Sequence, residues 1–123
     1  MKTNVNIVPL DIVKRILELG FNYEVLYKYI DENTVDMLPD WQVLEENPAP
    51  FAVTVLQWLR EEKDIQLYPI RIGNVTMPYI GTSFLVYYPN NPEPKYNAEP
   101  FETEEEAIIQ GIKYVLDNYY KWI

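Results

Sequence analysis

The sequence predicts an α+β fold: helix, hairpin, then helix-strand-strand-strand-helix, with a three-stranded antiparallel sheet and the helices packed on one face. Three observations carry this. Apolar residues recur at helical spacing near the start, in the middle and at the end of the chain. Between these segments the pattern switches to the two-residue alternation of strands. Residues 79–88, YIGTSFLVYY, have the β-branched and aromatic content of a central strand.

In residues 9–20, Leu10, Ile12, Val13, Ile16, Leu17 and Leu19 make an apolar helical stripe, with Pro9 suited to the first turn and Gly20 to the stop. Residues 21–31 then alternate. Tyr23, Val25, Tyr27 and Tyr29 share one strand face, with Glu24, Leu26, Lys28 and Ile30 on the other. The turn formers Asp31, Glu32, Asn33 and Thr34 lead into a short return strand over 35–38, which Pro39 and Asp40 end. Residues 40–50, punctuated by Pro48 and Pro50, read as an irregular link within one domain. Helical spacing resumes from Pro50, where Phe51, Val55 and Leu59 fall at i, i+4 and i+8.

Residues 65–72 alternate again, and Pro69, which has no N–H for a ladder, places this strand at a sheet edge or at a bulge. Gly73 and Asn74 make a turn, 79–88 form the central strand, 89–95 turn, and 96–101 form a short third strand. Thr103 followed by Glu106 predicts a capping box opening the last helix, and Glu104, Glu105 and Glu106 sit where the helix dipole favours negative charge. Ala107, Ile108, Gly111, Ile112, Val115, Leu116 and Tyr119 form its apolar face, and a glycine in the middle of that face predicts close packing of helix on sheet. The reading is one domain over 1–123, with 1–47 holding the first helix and the hairpin and 48–123 an αβββα core. A chain of 123 residues buries about two-thirds of its unfolded surface, enough for a core without disulfides or metal.

Composition narrows the chemistry. With 0 Cys and 0 His, the chain offers no cysteine nucleophile, Ser-His-Asp triad, Cys/His zinc site or imidazole base. Glu99, Glu102, Glu104, Glu105 and Glu106 are clustered, but no D-x-D or Glu-x-x-His spacing accompanies them, and they read as a solvated helix start. The sole serine, Ser83, lies mid-strand without a G-x-S-x-G context. No catalytic residue, cofactor or metal site is therefore predicted, and the expectation is that the protein is not an enzyme.

The net charge of −9 opposes attraction to nucleic acid and to anionic membranes. The αβββα order also occurs in double-stranded RNA-binding domains. From Asp64 onward, however, Arg71, Lys95, Lys113 and Lys121 face eight carboxylates, so RNA binding is disfavoured. Asn4, Asn6 and Asp11 interrupt the opening apolar run, so no secretory signal is predicted, and no uncharged run reaches membrane-spanning length. The expected location is the cytoplasm, with a virion left open.

Gly20-Phe21, Trp58-Leu59-Arg60-Glu61 and Phe101-Glu102-Thr103-Glu104-Glu105-Glu106-Ala107 carry a resemblance that covers nearly the whole chain. In these cap and core signals the chain resembles a family of small uncharacterised proteins of phages, prophages and mobile elements of Bacteroides-type bacteria. The resemblance implies a phage or mobile-element origin, and hence a bacterial host cell, and implies no activity.

The 11 tyrosines point further. Tyr23, Tyr27 and Tyr29 on one strand, and Tyr119, Tyr120 and Trp122 at the C-terminus, are amphipathic side chains that suit a core rim and are enriched at protein interfaces. With Glu102, Glu104 and Glu105 they are the candidate protein-binding residues. The leading expectation is a non-enzymatic accessory protein acting on a protein partner or a second copy of itself. One alternative is an acidic mimic of nucleic acid that inhibits a host nucleic-acid-binding or defence protein, and another is a minor virion component.

Overall fold

The computed structural model describes residues 7–77, 79–89, 93–96 and 100–122. The fold is α+β, with two compact units, residues 1–58 and 59–123, that meet within one helix.

In the first unit, α1 (Leu10–Glu18) starts at Pro9, whose carbonyl accepts from the N–H groups of Ile12 and Val13 at 3.1 and 3.0 Å. The helix closes in a Schellman motif. The Phe21 N–H donates to the Ile16 carbonyl and the Gly20 N–H to that of Leu17, both at 3.0 Å, with Gly20 at φ +94°. Phe21 and Ile16, the two residues such a motif brings together, are both buried.

Strands β1 (Val25–Asp31) and β2 (Thr34–Gln42) form an antiparallel hairpin whose turn is held by the Asn33 N–H donating to Asp31 Oδ1 at 2.8 Å. Pro39 does not end β2 as expected. Tyr27 pairs with Met37, and two residues earlier Val25 pairs with Gln42, so residues 38–41 of β2 stand opposite Leu26 alone in an irregular stretch that contains Pro39 and asks no ladder N–H of it.

The irregular link also does more than expected. The Tyr29 N–H donates to the Asn47 carbonyl at 2.7 Å and the Ala49 N–H to that of Tyr27 at 2.9 Å, so residues 47–49 run along the second edge of β1. Pro48 sits between those two bonds, where no donor is required. Beyond it, the Val8 N–H donates to the Pro50 carbonyl at 3.0 Å, and Ile7 bridges to Phe51.

Helix α2 (Ala52–Lys63) contains the boundary between the units. Ala52, Val55, Trp58 and Leu59 are buried, and the Trp58 ring meets Phe21 edge-on at 5.5 Å. At the far end the Ile65 N–H donates to the Leu59 carbonyl at 3.1 Å across Asp64, which takes the left-handed conformation at φ 54°.

In the second unit, β3 (Gln66–Ile72) and β4 (Gly81–Tyr87) pair antiparallel through seven residues without interruption, and Pro69 does lie in an edge strand. Their connection is ordered by Asn74, whose Oδ1 accepts from the N–H groups of Thr76 and Met77 at 2.9 and 2.7 Å. Helix α3 (Glu104–Trp122) begins on the Thr103 cap: the Glu106 N–H donates to Thr103 Oγ1 at 3.0 Å. Its face of Ala107, Ile108, Ile112, Val115 and Leu116 is buried, and Tyr114 lies 5.4 Å from the Phe84 ring.

One feature of the expected architecture is corrected. In place of one three-stranded sheet the chain builds two separate two-stranded ladders, β1–β2 and β3–β4. The third strand is reduced to β5 (Lys95–Tyr96), two residues paired with Val86 and Leu85. Residues 97–99 of the expected strand lie outside the described residues, as do 90–92 of the preceding turn. Pro100 has no N–H to extend a ladder, and beyond it Phe101 makes an isolated bridge to β4, exchanging N–H···O bonds with Thr82 at 2.7 and 2.9 Å.

The β3–β4 ladder carries α3, whereas the Ala52, Val55 and Trp58 stripe of α2 belongs to the first unit, where Phe21 meets it. An amphipathic helix needs any apolar partner for its stripe, and the aromatic ring delivered by the end of α1 serves as well as a sheet.

The predicted close approach at Gly111 is present. A Cβ there would stand 2.7 Å from Leu67 Cδ1 and 3.1 Å from the Phe84 ring. Gly111→Val is therefore expected to lower stability by about 1–3 kcal/mol through overpacking, measured as a fall in the urea midpoint by far-UV circular dichroism.

Candidate functional site

The candidate residues fall into different environments. Tyr29 is buried, with its hydroxyl donating to the Val8 carbonyl at 2.5 Å. Burial, and secondarily the nearby Asp11 carboxylate, push its pKa above the usual tyrosine value. Tyr23 precedes β1 rather than lying in it, half-buried, 6.0 Å from the Phe21 ring. Tyr27 is half-buried and meets Phe51 edge-on at 5.9 Å. The predicted strand face of Val25, Tyr27 and Tyr29 thus exists, but it points largely inward and becomes solvent-facing only towards Tyr27.

At the C-terminus Tyr119 is buried, with Lys63 Nζ 5.7 Å from its ring centre. Tyr120 is 73% exposed and packs edge-on against Tyr119 at 5.4 Å. Trp122 stacks on Tyr88 at 4.3 Å and 11° between planes. Glu102 and Glu104 are exposed and Glu105 half-buried in the first turn of α3 and just before it. Glu104 also borders a shallow cavity of about 210 Å³ with Arg71, Tyr79 and Thr82. There the Arg71 guanidinium lies 4.5 Å over the Tyr79 ring, and the Tyr79 hydroxyl is 3.0 Å from Thr82 Oγ1. Cation, ring and hydroxyl in that cavity are thus engaged with one another.

Exposed apolar side chains also lie beside an aromatic cluster on β2, where the sequence reading placed no candidate. On β2, Met37 is 61% exposed and Trp41 47%, and Val43 just beyond is 51% exposed. Met37 pairs with Tyr27 and so shares its face of the hairpin. The Trp41 ring lies 6.4 Å from Phe51, which in turn meets Tyr27. Tyr27, Met37, Trp41 and Phe51 therefore form one aromatic and thioether surface, half-buried at its base and open above. No simple alternation marks it in the sequence: Leu38 and Pro39 interrupt the pattern, and the irregularity in β2 pairs Gln42 rather than Trp41 with Val25.

Among the described residues, no group of three or more Asp or Glu is placed to hold a metal ion, and no helix is long and apolar enough to cross a membrane. Comparison with family models, curated proteins and solved structures finds no match to this chain.

Tyr29→Phe is expected to cost about 1–2 kcal/mol, because the buried Val8 carbonyl loses its donor, measured by urea denaturation at neutral pH. A second readout follows from the raised pKa. The folded state holds the Tyr29 proton more tightly than the unfolded state, so this contribution is complete below the unfolded value of about 10 and is lost as pH rises through the folded one. The Tyr29→Phe variant is expected to show a smaller loss of stability on going above pH 10 than the native chain.

Proposed function

We propose that the protein is a non-enzymatic accessory factor that acts by binding another protein, and that it does so through the surface of Met37, Trp41 and Val43 over Tyr27 and Phe51. Exposure of Met37 and Trp41 next to the linked rings of Tyr27 and Phe51 is the observation that carries the reading. A lone exposed hydrophobe is ordinary on any protein, but a cluster built on edge-on and tilted ring contacts resembles the aromatic centre of an interface. Tryptophan, tyrosine and methionine are the residue types enriched there, because they bring large contact area at low entropic cost. The C-terminal aromatics fit the role less well, since Tyr119 is buried and Trp122 is stacked within the chain. An origin in a phage or mobile element, and thus a partner in a bacterial host, rests on the sequence resemblance alone.

With a photocrosslinking phenylalanine in place of Val43, irradiation of expressing bacteria is expected to give a discrete adduct with a protein. The same group in place of exposed Lys113 is expected to give none. Equal labelling from both positions, or no adduct from either, would remove the support for this surface.

A further inference from the structure

The chain has 0 Cys and 3 Met, so its sulfur chemistry is that of the thioether alone. A thioether is apolar and polarizable and packs well against rings, but peroxides oxidise it readily where they reach it. Met37 is 61% exposed on β2, so an oxidant meets its side chain without any opening of the fold.

The position of Met37 gives that reaction a consequence. It pairs with Tyr27 and so stands on the same face of the hairpin, and the Tyr27 ring meets Phe51, which in turn lies 6.4 Å from Trp41. Within this group Met37 is the side chain that a mild oxidant converts from apolar to polar, because the sulfur gains a hydrogen-bond-accepting oxygen. In the free chain water satisfies that oxygen, since the side chain is exposed. In a complex that covers the surface the water is expelled, and a polar group brought into apolar surroundings opposes association. Oxidation therefore acts on docking and spares folding.

Resting on the interaction reading above, we infer that Met37 is a redox-sensitive modification site, and that its oxidation by hydrogen peroxide turns the docking surface off. The sulfur lone pair attacks one peroxide oxygen, the O–O bond breaks and water leaves, so the thioether loses two electrons and becomes the sulfoxide. A thiol-dependent methionine sulfoxide reductase reverses the step: the oxygen departs as water and two thiols become a disulfide. Leucine at this position would present similar apolar area without the chemistry. Met77 is the internal comparison, since it is 55% exposed in the β3–β4 connection and belongs to the second unit.

The test uses the full chain with the photocrosslinking phenylalanine in place of Val43. The purified chain is treated with hydrogen peroxide, catalase removes the excess, and the chain is irradiated in lysate of the same bacteria. Peptide mass spectrometry is expected to show an added oxygen on Met37. Adduct yield at subsaturating lysate is expected to fall by about tenfold, and to return after treatment with methionine sulfoxide reductases of both stereospecificities. Met37→Leu, which keeps the other two methionines, should hold its yield within about twofold after peroxide. Met77→Leu should lose the adduct as the native sequence does. The urea midpoint should be the same before and after oxidation.

An adduct that survives full oxidation of Met37 overturns the inference and leaves the interaction reading standing. So does a loss that Met37→Leu shares, which assigns the effect to another residue, or a fall in the urea midpoint, which assigns it to folding. A Met37 that stays reduced while Met77 is converted refutes the modification site. Absence of any adduct from the untreated chain removes the interaction reading, and the inference with it.

Discussion

The first unit depends on a single requirement: the backbone of β1 must be hydrogen-bonded on both edges. β2 supplies one side and residues 47–49 the other, through the bonds from Tyr29 to Asn47 and from Ala49 to Tyr27. Once that second edge is occupied, Pro50 and Phe51 are carried to residues 7 and 8, and the Tyr29 hydroxyl reaches the Val8 carbonyl from the strand itself. Buried backbone groups without partners are costly, and here each half of the chain segment that looks irregular satisfies groups on a neighbour. Prolines 48 and 50 are compatible with this because a pairing segment needs donors only at alternate positions on a given side.

The same placement creates the candidate interface. Phe51 is delivered beneath β2 by the residues that pair with β1, and it is the ring that joins Tyr27 to Trp41. Without that ring Trp41 would be one exposed aromatic among several. The irregular stretch around Pro39 has a related effect, since β2 resumes pairing after it at Gln42, with Trp41 still within the strand.

In the second unit the elements were largely legible. Thr103 caps α3, its apolar stripe is buried, Gly111 marks the approach of Leu67 and Phe84, and Pro69 lies at an edge. These are local signals, each tied to the N–H, Cβ or side-chain oxygen of one residue. Sheet membership is different in kind. Whether residues near 96–101 form a full strand depends on how many of their groups find partners on β4, and Pro100 limits that number. Of the nine residues singled out for binding, Tyr27 alone belongs to the aromatic surface now favoured, because periodicity places a residue on a face but does not say which face is covered.

Sequence alone determined the α+β class, the position of the three helices, the caps at Gly20 and Thr103, and the exclusion of cysteine and histidine chemistry. These follow from side-chain period and backbone preference, which act over a few residues. Tertiary structure alone decided that the third strand beside β4 shrinks to Lys95 and Tyr96, that α2 turns its stripe to Phe21, and that residues 47–51 complete β1. It also decided that Met37 and Trp41, rather than the tyrosines of β1, face solvent. Each of these is a choice among partners distant in sequence, made by burial of apolar area and by the need to pair backbone groups, and no local pattern encodes the winner.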